Sequence, residues 1–200
     1  MIGPLVIAGL VMRQENIESL IRIGVRDSKS LSGKARAILA PKIIELAEEH
    51  ALVEILPQEV DSAVIRGRPM MRLNWLEAKY FSKILERLGP EVAYVDAPDR
   101  SPERFACQIL QNLNTPLRII AEHRADVKYP IVSAASILAK VRRDIVISEL
   151  KRLYGDFGSG YPSDPKTVNF LREWILKNRG DLPILRRSWG TFRRVWAELL

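Results

Sequence analysis

The stretch VAYVDAPDRSPERFACQILQNLNTPLRIIAEHRAD, residues 92–126, decides how the chain is read. Val92-Ala93-Tyr94-Val95 is a short apolar run of strand-forming residues, and it ends on Asp96. Ala97-Pro98-Asp99 turns the chain there, because proline lacks the backbone donor that a continuing strand needs. The pattern then predicts a helix over 102–113, a second strand over 117–121, and a loop carrying Glu122-His123-Arg124-Ala125-Asp126. Strand, helix, strand is the unit of an α/β fold. In such sheets, active residues gather at the carboxyl ends of strands. Asp96 sits at one such end, and Asp126 lies shortly after another.

The same alternation extends outward. Residues 4–12 (PLVIAGLVM) read as a buried strand, and Ser32 as the cap of a helix over 34–49. A strand is expected over 51–56, closed by Pro57, then a short helix over 58–64. Asn74 is expected to cap a helix over 75–88 that Gly89-Pro90 stops. A long helix over 131–153, a turn-rich loop GSGYPSDP at 158–165, and helices over 166–178 and 190–199 complete the chain. No repeat or low-complexity segment interrupts it.

The 200 residues suffice for one large domain. Hydrophobic residues at 47% and charged residues at 28% describe an ordinary globular chain. The single cysteine, Cys107, excludes an internal disulfide, fits a reducing cytoplasm, and is expected at a partly buried helix position. No signal peptide is visible, and the apolar run at 4–12 is too short to span a bilayer. The net charge of +7 suits a polyanionic partner such as nucleic acid, though it suits a basic protein that binds none equally well.

A lone carboxylate at a strand end is usually a turn residue. Two at neighbouring ends of a basic protein call for something that holds them together, and a divalent cation does so. Mg²⁺ takes oxygen ligands and is commonly bound by one or two carboxylates plus substrate phosphate. On the long helix, Ser133, Ser136, Lys140 and Arg143 share one face. That stripe could approach a backbone phosphate, or could serve close packing with partial solvation. In the glycine-containing loop, Tyr161 could stack on a sugar or base, or could pack on the core. Arg186, Arg187, Arg193 and Arg194, interleaved with Trp189 and Phe192, could contact a phosphate backbone or form a solvated face. His50, His123 and Cys107 lack zinc-ligand spacing, and no Walker or dinucleotide-binding glycine motif is present.

In order and spacing, IGPLVIAG (2–9), VRDSKSL (25–31), LN (73–74), YVDAPD (94–99), RAD (124–126), VSAASILAKVRRD (132–144), GSGYPSDP (158–165) and Arg187-Ser188-Trp189 resemble ribonuclease HII, the type 2 ribonuclease H, in its archaeal form. The resemblance covers nearly the whole chain. It implies a ribonuclease H-like mixed sheet flanked by helices: a single domain over 1–200, with a catalytic core over about 1–155 and a helical C-terminal extension over about 156–200. It implies a cytoplasmic, monomeric endonuclease that uses Mg²⁺ or Mn²⁺, held by four carboxylates, in two-metal-ion phosphodiester hydrolysis. Its substrates would be RNA/DNA hybrids and duplex DNA carrying single ribonucleotides, cut on the 5′ side of the ribonucleotide to leave 3′-hydroxyl and 5′-phosphate ends. Asp96 and Asp126 would be catalytic metal ligands, and Tyr161 would sense the 2′-hydroxyl. Lys29, Ser133 and Lys140 would lie near substrate phosphates. No replication-clamp motif is evident after the last helix.

The chain departs from the family at its start. Members carry a strand ending in Asp-Glu-Ala-Gly-Arg-Gly before the IGPLVIAG-like segment, whereas this chain opens at Met1-Ile2-Gly3-Pro4 and its first acidic residue is Glu15. That strand supplies the other two carboxylates and lies centrally in the family's sheet. The expectations are a sheet interrupted between 4–12 and 92–96 and a nearly inactive 200-residue form, explained by an upstream start. If Met1 is the true start, the alternative is a hybrid-binding protein that does not cut. Asp27 and Asp99 are the next acidic residues to examine as ligands.

Overall fold

The structure is a computed structural model that describes residues 1–26, 30–66, 72–178 and 182–199. The order of elements is β1 (Leu5–Val11), a 3-10 turn (Gln14–Asn16), α1 (Ile17–Arg22), α2 (Gly33–Leu46), β2 (Glu49–Ile55), α3 (Pro57–Arg66), α4 (Arg72–Leu88) and β3 (Val92–Asp96). There follow α5 (Pro102–Leu110), β4 (Arg118–Glu122), α6 (Ala125–Lys128), α7 (Pro130–Tyr154), α8 (Pro165–Asn178) and α9 (Gly190–Leu199). The fold is mixed α/β and mostly helical. Each expected strand is present within two residues of its predicted ends.

The chain forms two compact units. One comprises Val6–Val53 and Asn74–Arg142; the other comprises Met1–Leu5, Glu54–Leu73 and Arg143–Leu200. In the first, β3 and β4 pair in parallel with Val92 opposite Arg118 and Asp96 opposite Glu122. Alternation along β3 turns Ala93 and Val95 into a core with Phe105 and Ile109 of α5 and Ala78 and Leu85 of α4. Tyr94 points the other way, and its ring lies 4.5 Å from that of Tyr129. β1 pairs with β2 in a separate ladder, so the described strands form two ladders of two strands each. Gly9 lets β1 approach α4 closely: a side-chain carbon there would lie 2.6 Å from Ile84 Cγ2. The second unit has its own core, in which Ile2, Phe157, Leu171, Ile175, Leu182 and Val195 pack together.

Several local expectations change. Ser32 caps α2 as expected, its hydroxyl accepting from Ala35 N at 3.2 Å. Asn74 is not a cap: α4 begins at Arg72, and the Asn74 amide instead donates to Asp99 Oδ2 at 2.8 Å. A side chain that a distant carboxylate can use does not serve the local helix end. α5 stops at Leu110 rather than residue 113, because Asn112 N and Leu113 N bond three residues back, to the Ile109 and Leu110 carbonyls. Cys107 is exposed rather than partly buried, because Phe105 and Ile109 take the inward positions of α5. Among the described residues, no helix is long and apolar enough to cross a membrane.

Candidate active site

Parallel pairing of β3 and β4 brings their carboxyl ends side by side, and Ala97 N continues the ladder to the Glu122 carbonyl at 2.9 Å. After β4 the chain must reverse within a few residues. Arg124 does this in the left-handed region, with φ 56° and ψ 34°, the one non-glycine residue with positive φ among those described. A side-chain-bearing residue held there carries local strain. The turn aims the amide of Ala125 back at β3, where it donates to Asp96 Oδ1 at 3.0 Å. Asp126 follows in the first turn of α6 and is 3% exposed. The helix was not foreseen; the sequence pattern predicts a loop here, because four residues are too few to show helical periodicity. Asp96 and Asp126 are thus gathered at one sheet end by a ladder, a strained turn and one amide bond.

The neighbouring acids are engaged elsewhere. Asp99 is 2% exposed and accepts from Asn74, from Ser101 N at 3.1 Å, and from Arg104 through Nε at 3.0 Å and Nη2. The Arg104 hydrogen bonds, reinforced by those of Ser101 and Asn74 against the opposing effect of burial, hold the Asp99 carboxyl down at about 2. It therefore anchors the turn that follows Asp96 and is not a spare ligand. Asp27, the other candidate, lies outside the described residues, as does Lys29. Glu122, opposite Asp96 in the ladder, accepts from Lys128 Nζ at 2.8 and 2.6 Å and from Tyr129 Oη at 2.7 Å. Those contacts lower its carboxyl from the usual range, Lys128 contributing most. Among the described residues, no group of three or more His, Cys, Asp or Glu side chains is arranged to hold a metal ion.

On α7, Ser133 is 2% exposed and donates its hydroxyl to the Arg26 carbonyl at 2.5 Å. Lys140 donates to Ser136 Oγ at 2.6 Å. The helical stripe is therefore bonded rather than simply solvated. Arg186 is buried and donates to the Gly3 carbonyl at 3.1 Å, whereas Arg187, Arg193 and Arg194 are exposed. Only part of the basic run is thus available as a charged surface.

In the other unit, the loop before α8 carries Tyr161, 47% exposed. Asp164 caps α8 and shapes the loop. Its Oδ1 accepts from Lys166 N at 2.9 Å and its Oδ2 from Ser159 N at 2.6 Å, and these amides hold its carboxyl at about 2, Ser159 most strongly. Thr167, fully buried, bridges Gly160 N at 2.9 Å and the Phe157 carbonyl at 2.8 Å. Tyr161 does not pack into the core; the guanidinium of Arg143 lies over its ring at 4.0 Å from the centroid. Arg143 was legible only as one member of a stripe, because its partner lies on a loop that helical spacing does not reach.

A family model described as Ribonuclease HII matches residues 1–192. The Ribonuclease HII of Pyrococcus furiosus is 48% identical over 196 residues, spanning 97% of this chain and 85% of the relative. The crystal structure of the ribonuclease H2 from Pyrococcus horikoshii OT3 superposes with a TM-score of 0.88 at 44% identity, covering 99% of this chain and 92% of that one. The ribonuclease HII solved in a PCNA complex from Archaeoglobus fulgidus gives a TM-score of 0.85 at 40% identity, covering 97% and 90%. The fold is therefore ribonuclease H-like, and the chain belongs to the ribonuclease HII family of ribonuclease H enzymes.

Proposed function

We propose that the chain is the endonuclease its family implies, hydrolysing the RNA strand of RNA/DNA hybrids and nicking duplex DNA at single ribonucleotides. One observation carries this reading: Asp96 and Asp126 occupy the carboxyl end of the β3–β4 ladder, linked through the amide of Ala125. Their hard oxygen donors fit Mg²⁺ or Mn²⁺, and two carboxylates plus substrate phosphate is a usual way of holding Mg²⁺. When bound, the metal would polarise the phosphodiester and activate water for in-line attack. Asp96, with one oxygen steadied by Ala125 N, and Asp126 would hold it. Lys140 and Lys29 would bind backbone phosphate as cations. Ser133 would act through its grip on the Arg26 carbonyl, ahead of residues 27–29. Tyr161 would meet the sugar of the ribonucleotide with its exposed ring.

We read residues 1–200 as one ribonuclease H-like domain with 156–200 as its helical extension, acting as a cytoplasmic monomer. The PCNA complex of the Archaeoglobus relative makes the replication clamp a partner to assay, although no clamp motif is legible in the sequence. The second reading is hybrid binding without cutting.

Cleavage assays separate the two. The 200-residue form and a form extended by the family's Asp-Glu-Ala-Gly-Arg-Gly strand would be incubated with a uniform hybrid and with DNA carrying one ribonucleotide. The proposal expects metal-dependent cutting on the 5′ side of the ribonucleotide, leaving 5′-phosphate and 3′-hydroxyl ends, fast in the extended form and slow in the shorter one. Binding without cutting by either form would favour the second reading. Robust cutting by the 200-residue form would refute the need for the added strand.

A further inference from the structure

Tyr161 is presented on a loop with 47% of the residue facing solvent, so the core does not enclose its ring. A recognition ring that swings freely discriminates poorly, because binding must then order it. Its steady neighbour is Arg143. This residue is 9% exposed, sits on the regular turns of α7, and lays its guanidinium 4.0 Å from the ring centroid. Such a contact is favourable when the cation lies over the ring face. The guanidinium is itself fixed by backbone. It donates to the Ile2 carbonyl at 3.3 Å and to the Ser159 carbonyl at 3.5 Å, two residues before the ring it covers.

The backbone is fitted to this arrangement. Gly160 has φ +76°, and a side-chain carbon there would come 3.1 Å from the Ile2 carbonyl oxygen and 3.3 Å from Arg143 Nη2. A bare backbone at this position is what allows the guanidinium to reach past it. Ile2 N in turn donates to the Gly160 carbonyl at 2.9 Å, so the loop and the Ile2 segment clasp the guanidinium between them. Among the described residues Arg143 forms no ion pair. A buried arginine that donates to two carbonyls and covers one ring face, with the Met1 amine rather than a carboxylate as its charged neighbour, is placed for shape and orientation.

We propose that Arg143 is a specificity-determining positioning residue: it covers one face of the Tyr161 ring and fixes the orientation in which the other face meets the ribonucleotide. The inference rests on the reading of Tyr161 as the residue that senses the ribonucleotide. It predicts that loss of Arg143 lowers discrimination between ribonucleotide-containing and all-DNA duplexes, beyond any change in general affinity. Simple loss of stability or of positive charge would weaken both duplexes alike.

The test is a binding measurement, so it does not depend on cleavage. Fluorescence anisotropy in EDTA, where metal-dependent cutting cannot occur, would give Kd for a labelled DNA duplex carrying one ribonucleotide and for the same duplex in DNA alone. The ratio is compared among wild type, Tyr161→Ala, Arg143→Met and Arg143→Lys, with a thermal melt of each. The expected result is a wild-type preference that Tyr161→Ala abolishes and that Arg143→Met lowers about tenfold, the scale of a partly desolvated cation–π contact. Arg143→Lys, which keeps the charge but loses the flat stacking surface, should fall between Arg143→Met and wild type. If Tyr161→Ala removes the preference while Arg143→Met keeps the wild-type ratio, the inference is wrong and the role of Tyr161 survives. If Tyr161→Ala keeps the preference, or wild type shows none, the reading of Tyr161 fails and the inference falls with it. Should Arg143→Met melt too low to assay, Arg143→Lys decides: an unchanged ratio in that variant overturns the proposal.

Discussion

Asp96 is held by the amide of a residue 29 positions along, inside one strand–helix–strand unit; the arginine that covers Tyr161 is anchored on a carbonyl 141 positions away. The first contact follows from secondary structure. Once β3 and β4 pair in parallel, their ends coincide, and a single turn suffices to bring Ala125 and Asp126 to Asp96. The second exists only because Ile2, Arg143 and the loop at 158–165 meet within one compact unit. Acidic ends made by a ladder are expected to tolerate change in the surrounding side chains, and a loop assembled from separate segments is expected to tolerate less. The two regions should therefore respond differently to substitution.

The largest expected effect is chemical. Asp96→Asn keeps an oxygen that accepts from Ala125 N, so the sheet end should stay folded while its charge is lost. In a cleaving form of the protein, Asp96→Asn and Asp126→Asn should each lower metal-dependent turnover by about a hundredfold or more, since the metal's charge stabilisation is worth several kcal/mol. Circular dichroism should show Asp96→Asn folded. Retained turnover would remove these residues from the metal site.

Next in size is the anchor behind Asp96. Asp99→Asn replaces a buried carboxylate that holds Arg104, and should cost about 2–3 kcal/mol in urea unfolding at pH 7. The pH dependence has a defined sign. Because the folded carboxyl titrates at about 2, below its unfolded value, its contribution is present above the ordinary carboxylate range and is lost as pH falls toward 2. The gap between wild type and Asp99→Asn should therefore close on acidification from pH 5 to pH 2 (a gap constant over that range would deny the Arg104 pairing its role).

Gly160→Ala addresses the other region. It forces a side chain into left-handed backbone and against the Ile2 carbonyl. Gly155, with φ +87° and open space around it, supplies the control. Each should lose about 1–2 kcal/mol to the backbone alone. Gly160→Ala should lose measurably more, because its neighbour at 3.1 Å is backbone and cannot swing aside. Equal losses would mean that the clasp around Arg143 is loose.

The smallest effect returns to the β3–β4 core. Gln108 is 4% exposed, and neither atom of its side-chain amide has a hydrogen-bond partner among the described residues. Gln108→Leu should raise stability by about 1 kcal/mol, because a buried amide without a partner carries a desolvation penalty that a hydrocarbon does not. Destabilisation on thermal unfolding would show that the amide has a polar partner after all.

Much of the acidic region was legible because its signals are local. Val92–Val95 announces a strand, Asp96 stands at its end, and Pro98 closes it. The helix of Asp126 was not legible, nor was the left-handed turn at Arg124, because an arginine carries no signal for that backbone region. The local position of Asn74 predicts a cap, and Asp99, 25 residues along the chain, takes its amide instead.

By itself the sequence determined the alternation of strands and helices, one carboxylate at a strand end and another shortly after the next strand, the family, and the presence of a tyrosine between a glycine and a proline. These depend on periodicity, turn chemistry and motif order, all of which act over a few neighbouring residues. Tertiary structure decided which acids are already engaged, with Arg104 taking Asp99 and Lys128 taking Glu122. It also decided that the Tyr161 ring lies under Arg143 rather than in the core. Those outcomes depend on the turn and loop geometry that brings groups together, over only 5 residues for Arg104 and Asp99 and 6 for Lys128 and Glu122, and a charge or a ring finds its partner only when that geometry brings the two within a few ångströms.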